Sequence, residues 1–246
     1  MNNSLAIDIG NTLQKAAVFS EDGKMLFLCE KERLTTEALS SILEGYSVGH
    51  SILSSVGEAA EELSGFLQKE TAMLVFSHRT PLPIRIKYET PETLGLDRIA
   101  NAVAANALFP NKNVLSIQAG TCLVMDFMTK DAEYTGGSIS PGLEMRFEAL
   151  HHFTRRLPRV TKQDIGYFIG KTTEESIRSG VINGIADEIN GAIARYREQF
   201  GELQTVLTGG DKNDLEKRIK STIFAAPNMV LYGLYKILAF NVEEHL

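Results

Sequence analysis

Apolar stretches with two different spacings alternate along the chain, and together they predict an α/β protein. Residues 5–9 form a short apolar strand that runs into a polar turn, and residues 16–19 form a returning strand. Residues 114–127 repeat the order of strand, Gly-Thr turn and strand, and a third strand is expected near residues 133–135. The chain therefore contains two copies of one strand–turn–strand pattern.

Helical spacing dominates the stretches between the predicted strands. The predicted helices cover residues 36–43, 58–69, 94–108, about 174–200 and 229–240, and another helix is expected after Pro141. Thr90 is the predicted N-cap of the helix that ends at residue 108, with Pro91 at its first position, which puts Asp97 and Arg98 near its N-terminal end. The long helical region from about residue 174 to 200 is expected to be interrupted at three glycines: Gly180, Gly184 and Gly191.

The first polar turn has the residue types of a phosphate-binding loop. Asp8 can hold Mg²⁺ directly or through water, and Gly10 lets a phosphate approach the backbone without meeting a Cβ. Asn11 and Thr12 offer hydrogen-bond donors to phosphoryl oxygens. Taken alone, the same turn is equally typical of an ordinary hairpin.

The second turn matches the first position by position. Gln118 stands where Asp8 stands, and Gly120 stands where Gly10 stands. If each half folds alike, the two turns face each other. A cleft that grips a nucleotide from both sides requires one such unit in each half.

A third turn completes the fold prediction. Residues 205–211 form a strand that runs into a Gly-Gly turn and a helix, suited to close packing against an adenine or a ribose. Three such elements in this order indicate duplicated ribonuclease H-like halves of the actin, hexokinase and Hsp70-like ATPase fold, with a nucleotide cleft between them. The first half is expected to span residues 1–110 and the second residues 111–246.

Composition narrows the choice of partners and compartment. The chain has 246 residues and a formal net charge of −6, which argues against a nucleic-acid-binding protein. Its two cysteines, Cys29 and Cys122, are isolated and lack metal-ligand spacing, which favours a reducing cytoplasm. The sequence shows neither a secretion leader nor a long apolar stretch, so we expect a cytoplasmic protein without a membrane partner.

Three short runs in a fixed order carry a family signature. They are Gly-Leu-Asp-Arg at residues 95–98, Gly-Gly-Ser-Ile-Ser-Pro-Gly at residues 136–142 and Gly-Lys-Thr-Thr at residues 170–173. With these runs the chain closely resembles the type III pantothenate kinases over nearly its whole length. The resemblance implies that ATP, with Mg²⁺, phosphorylates pantothenate to 4′-phosphopantothenate in the first step of coenzyme A biosynthesis.

The same resemblance implies a role for individual residues. Asp97 is the expected catalytic base, and Arg98 is expected to hold the pantothenate carboxylate. Asp8 and Asp126 are the expected Mg²⁺ carboxylates, Asp126 through water, and a homodimer is implied. The expected ATP contacts are Asp8, Ile9, Gly10, Asn11, Thr12, Leu13, Gln14, Lys15 and Thr121. The other residues expected to line the pantothenate pocket are Tyr88, Gly95, Leu96 and Thr173.

One residue departs from the family pattern. Members commonly have an aspartate ahead of the Ala-Gly-Thr turn, where it helps to bind a monovalent cation such as K⁺ or NH₄⁺, but this chain has Gln118. A monovalent cation is therefore not among the firm predictions. The departure leaves two alternatives open: a nucleotide-binding regulatory relative with little kinase activity, and a sugar or acyl kinase of the same fold.

Overall fold

Two mixed β-sheets, each accompanied by helices, account for most of the structure. The structure is a computed structural model, and it describes residues 3–10, 13–55 and 60–245. The chain divides into two units. The first unit comprises residues 1–108 and 228–246, and the second comprises residues 109–227.

The first unit begins with an antiparallel hairpin and continues with parallel strands. Its elements are β1 (Asn3–Ile9), β2 (Gln14–Phe19), β3 (Met25–Lys31), α1 (Thr36–Gly45), β4 (Val48–Ser55), α2 (Ala60–Glu70), β5 (Ala72–Val75), β6 (Arg85–Ile86), a 3-10 helix (Pro91–Thr93) and α3 (Leu96–Leu108). The sheet order is β3-β2-β1-β4-β5. Strand β1 pairs antiparallel with β2 and parallel with β4, which confirms the predicted strand–turn–strand.

Side-chain alternation along β1 decides which residues enter the first core. Leu5, Ile7 and Ile9 are buried in one apolar cluster with residues of α1 and α2. Because successive side chains of a strand point to opposite faces, Ala6 and Asp8 lie on the other face of the sheet. The register of one apolar strand therefore puts a carboxylate on the face away from α1 and α2.

The second unit repeats the order of three antiparallel strands, helices and parallel strands. Its elements are β7 (Val114–Ala119), β8 (Cys122–Met128), β9 (Glu133–Pro141), α4 (Leu143–His152), α5 (Thr173–Phe200), β10 (Gln204–Thr208), α6 (Lys212–Glu216) and β11 (Phe224–Ala225), and the chain then returns to the first unit with α7 (Met229–His245). Strands of this unit lie in the order β11-β10-β7-β8-β9. Within the described ranges, none of the helices combines the length and the apolar character that a bilayer crossing requires.

Side chains along β7 alternate between the two faces of the sheet, as they do along β1. Leu115, Ile117 and Ala119 are buried in an apolar cluster that includes one side of α5. Ser116 and Gln118 therefore point to the opposite face. The matching strands of the two units thus present a polar side chain on the face away from these helices, at the same distance from the turn.

Helix α5 runs without a break from Thr173 to Phe200, so the predicted interruption is wrong. A glycine inside a helix is less favourable than alanine by roughly 1 kcal/mol. Burial of a full apolar side chain stabilises by about 1.5–3 kcal/mol, which outweighs that difference. The isoleucines that α5 buries are Ile177, Ile182, Ile185, Ile189 and Ile193.

The start of α3 also differs from the prediction. The chain forms a short 3-10 turn after Thr90, leaves helical geometry at Leu94 and starts α3 only at Leu96. The Thr90 side chain caps no backbone N–H, and its Oγ1 accepts a hydrogen bond from Thr93 Oγ1 (2.9 Å). Leu94 is 1% exposed, and burial of this side chain in an extended segment explains why one continuous helix does not form.

Helix α7 confirms the predicted closing helix, but it joins a different part of the protein. The prediction put it in the half spanning residues 111–246, whereas α7 packs on α3 and on β1 and β4 of the first unit. A Cβ on Gly233 would lie only 1.9 Å from Ala100 O in α3. The small residue lets the two helix backbones come together, and the apolar residues of α7 cover the first sheet.

Candidate functional site

The carboxyl end of β1 holds the first candidate carboxylate. Asp8 is paired in register with Lys15 of β2 and Ser54 of β4. Burial, then the nearby charge of Asp97, raises the pKa of Asp8 to about 6, while the Lys15 ammonium acts in the opposite direction. Two of the predicted site carboxylates therefore lie close enough in the first unit to repel each other.

Asp97 lies in the first turn of α3, as predicted. A Cβ on Gly95 would lie 2.5 Å from Asp97 Oδ1, so glycine leaves the space that this carboxylate occupies. The backbone N–H groups of Arg98 and Ile99 both donate to Gly95 O, at 3.1 and 3.2 Å. The Gly-Leu-Asp-Arg run thus forms the helix start that orients Asp97.

Arg98 is a buried cation, with 7% of its surface exposed. Its guanidinium carbon lies 5.8 Å from the centre of the Tyr88 ring, which is cation–π contact distance. The preceding loop is anchored by His78, whose Nε2 donates to Leu94 O over 2.7 Å. The structure therefore brings together three of the predicted substrate residues, Tyr88, Asp97 and Arg98, around the start of α3.

The remaining residues of the first turn take different positions. Ile9 faces the apolar core, so its backbone alone is available to a ligand. Gln14 Oε1 accepts a hydrogen bond from Leu34 N over 2.6 Å, and Lys15 Nζ donates to Glu30 Oε1 over 2.6 Å. Leu13 is 41% exposed. Asn11 and Thr12, two of the predicted phosphate donors, lie outside the described residues.

The second turn is a tight connection between β7 and β8. Gly120 N donates to Cys122 O over 3.0 Å, and Thr121 is exposed. Asp211, at the end of the predicted Gly-Gly turn, donates its backbone N–H to Ala119 O over 3.0 Å. The second unit thus brings two of the three predicted nucleotide turns into direct backbone contact.

Thr173 and Asp126 lie elsewhere in the second unit. Thr173 is exposed and is the first residue of α5. Thr172 caps the N-terminus of this helix, because its Oγ1 accepts a hydrogen bond from Glu175 N (3.2 Å). Asp126 is 2% exposed, and its Oδ1 accepts a hydrogen bond from Tyr134 Oη over 2.8 Å. This contact favours a structural role for Asp126, and its Mg²⁺ role stays a prediction.

The described residues fit a Mg²⁺ ion that takes most of its other ligands from the substrate and from water. They contain no group of three or more His, Cys, Asp or Glu side chains arranged for a metal. Protein sites for Mg²⁺ beside phosphates commonly use only one or two carboxylates. A buried carboxylate whose pKa is raised by burial and by a like charge is the kind of group that a nearby cation stabilises, and Asp8 is such a group.

Several contacting residues were missed by the sequence analysis. His78 anchors Leu94, and Arg146 forms an ion pair with Glu188 across the second unit. The partners are distant in sequence, and no local spacing connects them. An alignment that revealed paired changes at these positions is the kind of signal that finds such contacts.

Solved structures support the fold. A Baf family transcriptional activator from Campylobacter jejuni has a TM-score of 0.60 at 21% identity, covering 97% of this chain and 99% of that one. A ROK family glucokinase from Streptomyces griseus, solved with glucose and AMPPNP, has a TM-score of 0.52 at 12% identity, covering 96% and 99%. Such low identities show the fold alone. That fold is the actin, hexokinase and Hsp70-like ATPase fold, as the sequence predicted.

Sequence relatives define the family. The family model described as Type III pantothenate kinase matches residues 4–195. A Type III pantothenate kinase from Christiangramia forsetii is 44% identical over 244 residues, which cover 98% of this chain and 100% of that protein. The chain therefore belongs to the type III pantothenate kinase family, and the resemblance found in the sequence is confirmed.

Proposed function

We propose that this protein transfers the γ-phosphoryl group of ATP to the primary hydroxyl group of pantothenate. The product is 4′-phosphopantothenate, and the reaction is the first step of coenzyme A biosynthesis. The observation that carries the proposal is that the charge of Asp97, which precedes the buried Arg98 in the first turn of α3, acts on the buried Asp8 carboxylate at the end of β1. Membership of the family supports the same reaction.

Asp97 is the proposed general base. As the pantothenate oxygen forms its bond to the γ-phosphorus, the bond between that phosphorus and the ADP oxygen breaks, and the hydroxyl proton passes to the Asp97 carboxylate. The space left by Gly95 supports this role, because it keeps one carboxylate oxygen clear of a side chain. A positioned base contributes about 10²–10⁴ in rate.

Arg98 is the proposed contact for the pantothenate carboxylate. A planar guanidinium offers paired N–H donors to a carboxylate, and such charge-assisted bonds are strong in a buried site. The Tyr88 ring beside the guanidinium supports a fixed orientation. Gly95, Leu96 and Thr173 complete the proposed pantothenate contacts.

The turn after β1 is the proposed site for the ATP phosphates. Asp8 is the group that would hold Mg²⁺, which when bound neutralises triphosphate charge. The Lys15 ammonium acts on Asp8 as a nearby positive charge, and it also donates a hydrogen bond to Glu30. The other proposed nucleotide contacts are Ile9, Gly10, Asn11, Thr12, Leu13, Gln14 and Thr121.

A homodimer in the cytoplasm is a further part of the proposal. The segment between α4 and α5 carries three exposed apolar side chains: Phe153 (82%), Phe168 (75%) and Ile169 (77%). The last two are close in sequence to Thr173. A second copy that covered them would remove this apolar surface from water. Both cysteines are free thiols, which fits the predicted compartment. Sedimentation equilibrium of the protein and of its Phe168→Ser variant tests the dimer, and a monomeric unmodified protein would contradict it.

A coupled ADP-release assay tests the reaction. Purified protein is given Mg·ATP with pantothenate, pantetheine or a panel of sugars, and mass spectrometry identifies the phosphorylated product. We expect turnover with pantothenate and none with the sugars. Turnover on a sugar would favour a sugar kinase, and ATP binding without turnover on any acceptor would favour a regulatory protein. The Asp97→Asn variant, purified identically, controls for contaminating kinases.

A further inference from the structure

The second turn is held on one side by the residue that follows β9. Gly142 N donates to Thr121 O over 3.1 Å, and a Cβ on Gly142 would lie 2.0 Å from Gly120 O. Only glycine allows so close an approach of two backbones. The backbone at residue 142 therefore sets the position of the Gly120–Thr121 turn.

Arg146 fixes that backbone from within α4. Arg146 Nε donates to Pro141 O over 2.8 Å, and one of its terminal nitrogens donates to Ser140 Oγ over 3.3 Å. Its own backbone N–H donates to Gly142 O over 3.1 Å. Arg146 thus ties the end of β9 to the first turn of α4 through contacts with Gly142 and with the two residues before it.

Glu188, on α5, completes the network. Its carboxylate forms an ion pair with Arg146 and accepts a hydrogen bond from Ser140 Oγ over 2.6 Å. Burial by itself would raise the pKa of Glu188, but the hydrogen bonds from Ser140 and Arg146 hold that pKa below its ordinary value. The Arg146 and Glu188 side chains are only 21% and 30% exposed. Removing one charge would therefore leave its partner poorly solvated.

We propose that Arg146 and Glu188 are positioning residues that hold the Gly120–Thr121 turn where it contacts ATP. The proposal rests on the proposed function, because it takes Thr121 as a nucleotide contact. The path of contacts runs from α5 through the ion pair to residues 140–142, and from there to the turn. Positioning matters because a displacement of about 1 Å can reduce an enzymatic rate by about 10²-fold.

Kinetics of a variant that keeps the shape of Glu188 test this positioning. Glu188→Gln removes the charge, and we expect the KM for ATP to rise roughly tenfold while the KM for pantothenate changes less than about twofold. The matched control is Glu148→Gln on α4, which removes a carboxylate that pairs with Arg159 at 2.6 Å. Glu148→Gln should leave both KM values unchanged. A double variant, Arg146→Gln with Glu188→Gln, should be no worse than the more impaired single variant.

Amide hydrogen exchange provides a second measurement that needs no turnover. In Glu188→Gln, exchange in residues 119–123 and 140–143 should be about tenfold faster than in the unmodified protein and in Glu148→Gln. Unchanged exchange there would overturn the proposal, and so would a lower melting temperature with an unchanged KM for ATP. If the unmodified protein fails to phosphorylate pantothenate, exchange and the binding of a fluorescent ATP analogue still decide the matter. Failure of the positioning and failure of the proposed function are therefore distinguishable.

Discussion

The two units have the same order of strands, but they differ in the residue near the end of the first strand. The first has the order β3-β2-β1-β4-β5, and the second has the equivalent order β9-β8-β7-β10-β11. In each, the first strand pairs antiparallel with the second and parallel with the fourth. Asp8 and Gln118 occupy the matching position, two residues before the glycine of the turn. The first unit therefore carries a carboxylate where the second carries a neutral amide.

Asp8 and Gln118 differ in the cost of burying them at the end of the strand. Burial and Asp97 raise the pKa of Asp8 to about 6, so ionising this carboxylate in the unliganded protein costs more than ionising a free aspartate. Gln118 carries no such penalty, because an amide stays neutral. The scaffold tolerates either residue, and the carboxylate is retained only in the unit that also contains Asp97 and Arg98. We therefore expect the strand end with Asp8 to matter for the phosphoryl transfer, and the strand end with Gln118 to matter for binding and positioning.

The largest expected effect comes from removing the base of the charged unit. Asp97→Asn keeps the shape and removes the proton acceptor, so kcat should fall about 10²–10⁴-fold. ATP binding, measured by calorimetry, should survive. Glu92→Gln, an exposed change earlier in the same segment, is the control. Near-normal kcat in Asp97→Asn would mean that another group accepts the proton.

Asp8→Asn should weaken productive binding of Mg·ATP. Loss of a charged contact of this kind corresponds to about 10–100-fold in kcat/KM for ATP. The KM for pantothenate should change little, because Arg98 and Tyr88 are unaltered. Initial rates over a range of Mg²⁺ concentrations measure the effect, with Asp22→Asn in the exposed β2–β3 turn as the control. An unchanged dependence on Mg²⁺ would contradict the assignment.

The same substitution should stabilise the unliganded protein at high pH. The folded pKa of Asp8, about 6, lies above the ordinary value of about 3.9. The folded state therefore binds the extra proton, and its stability falls as the pH rises through about 6. Asp8→Asn should then be more stable by about 2–3 kcal/mol at pH 8 and should lose this advantage towards pH 4. Urea unfolding at both pH values, without nucleotide, measures the difference, and an advantage that does not depend on pH would exclude Asp8 as its cause.

The smallest expected effect concerns Gln118 and stimulation of the rate by K⁺. The unmodified protein should show little stimulation by K⁺, and Gln118→Asp should introduce a stimulation of roughly threefold or less, because burial offsets part of the added attraction. Rates are compared in K⁺ and in a bulky organic cation at constant ionic strength, so that screening is equal. Strong K⁺ activation of the unmodified protein would show that other oxygens complete a cation site.

Local sequence patterns predicted much of the candidate site. The spacing around residues 94–108 put Asp97 near the start of a helix, where the structure has it. The apolar alternation along β1 implied the strand that carries Asp8. The pKa of Asp8 could not be predicted in this way, because it depends on how deeply the carboxylate is buried and on the charge of Asp97, a residue far away in sequence.

Local sequence patterns could not predict contacts between residues that lie far apart in the chain. Glu188 and Arg146 look like ordinary charged residues of two helices, and only packing of α4 against α5 brings them together. The continuity of α5 was mispredicted for a related reason. Glycine content describes local preference, while the energy that keeps the helix intact comes from side chains buried against the sheet.

The sequence by itself determined the family, the duplicated strand–turn–strand pattern and the position of the main helices, because these follow from short runs of neighbouring residues. Tertiary structure alone decided that α7 packs on α3 and β1, and which charged groups meet one another. Periodicity states that a helix has an apolar face but not which surface will cover it. That choice is made by close packing between residues such as Gly233 and Ala100, which lie far apart in the chain.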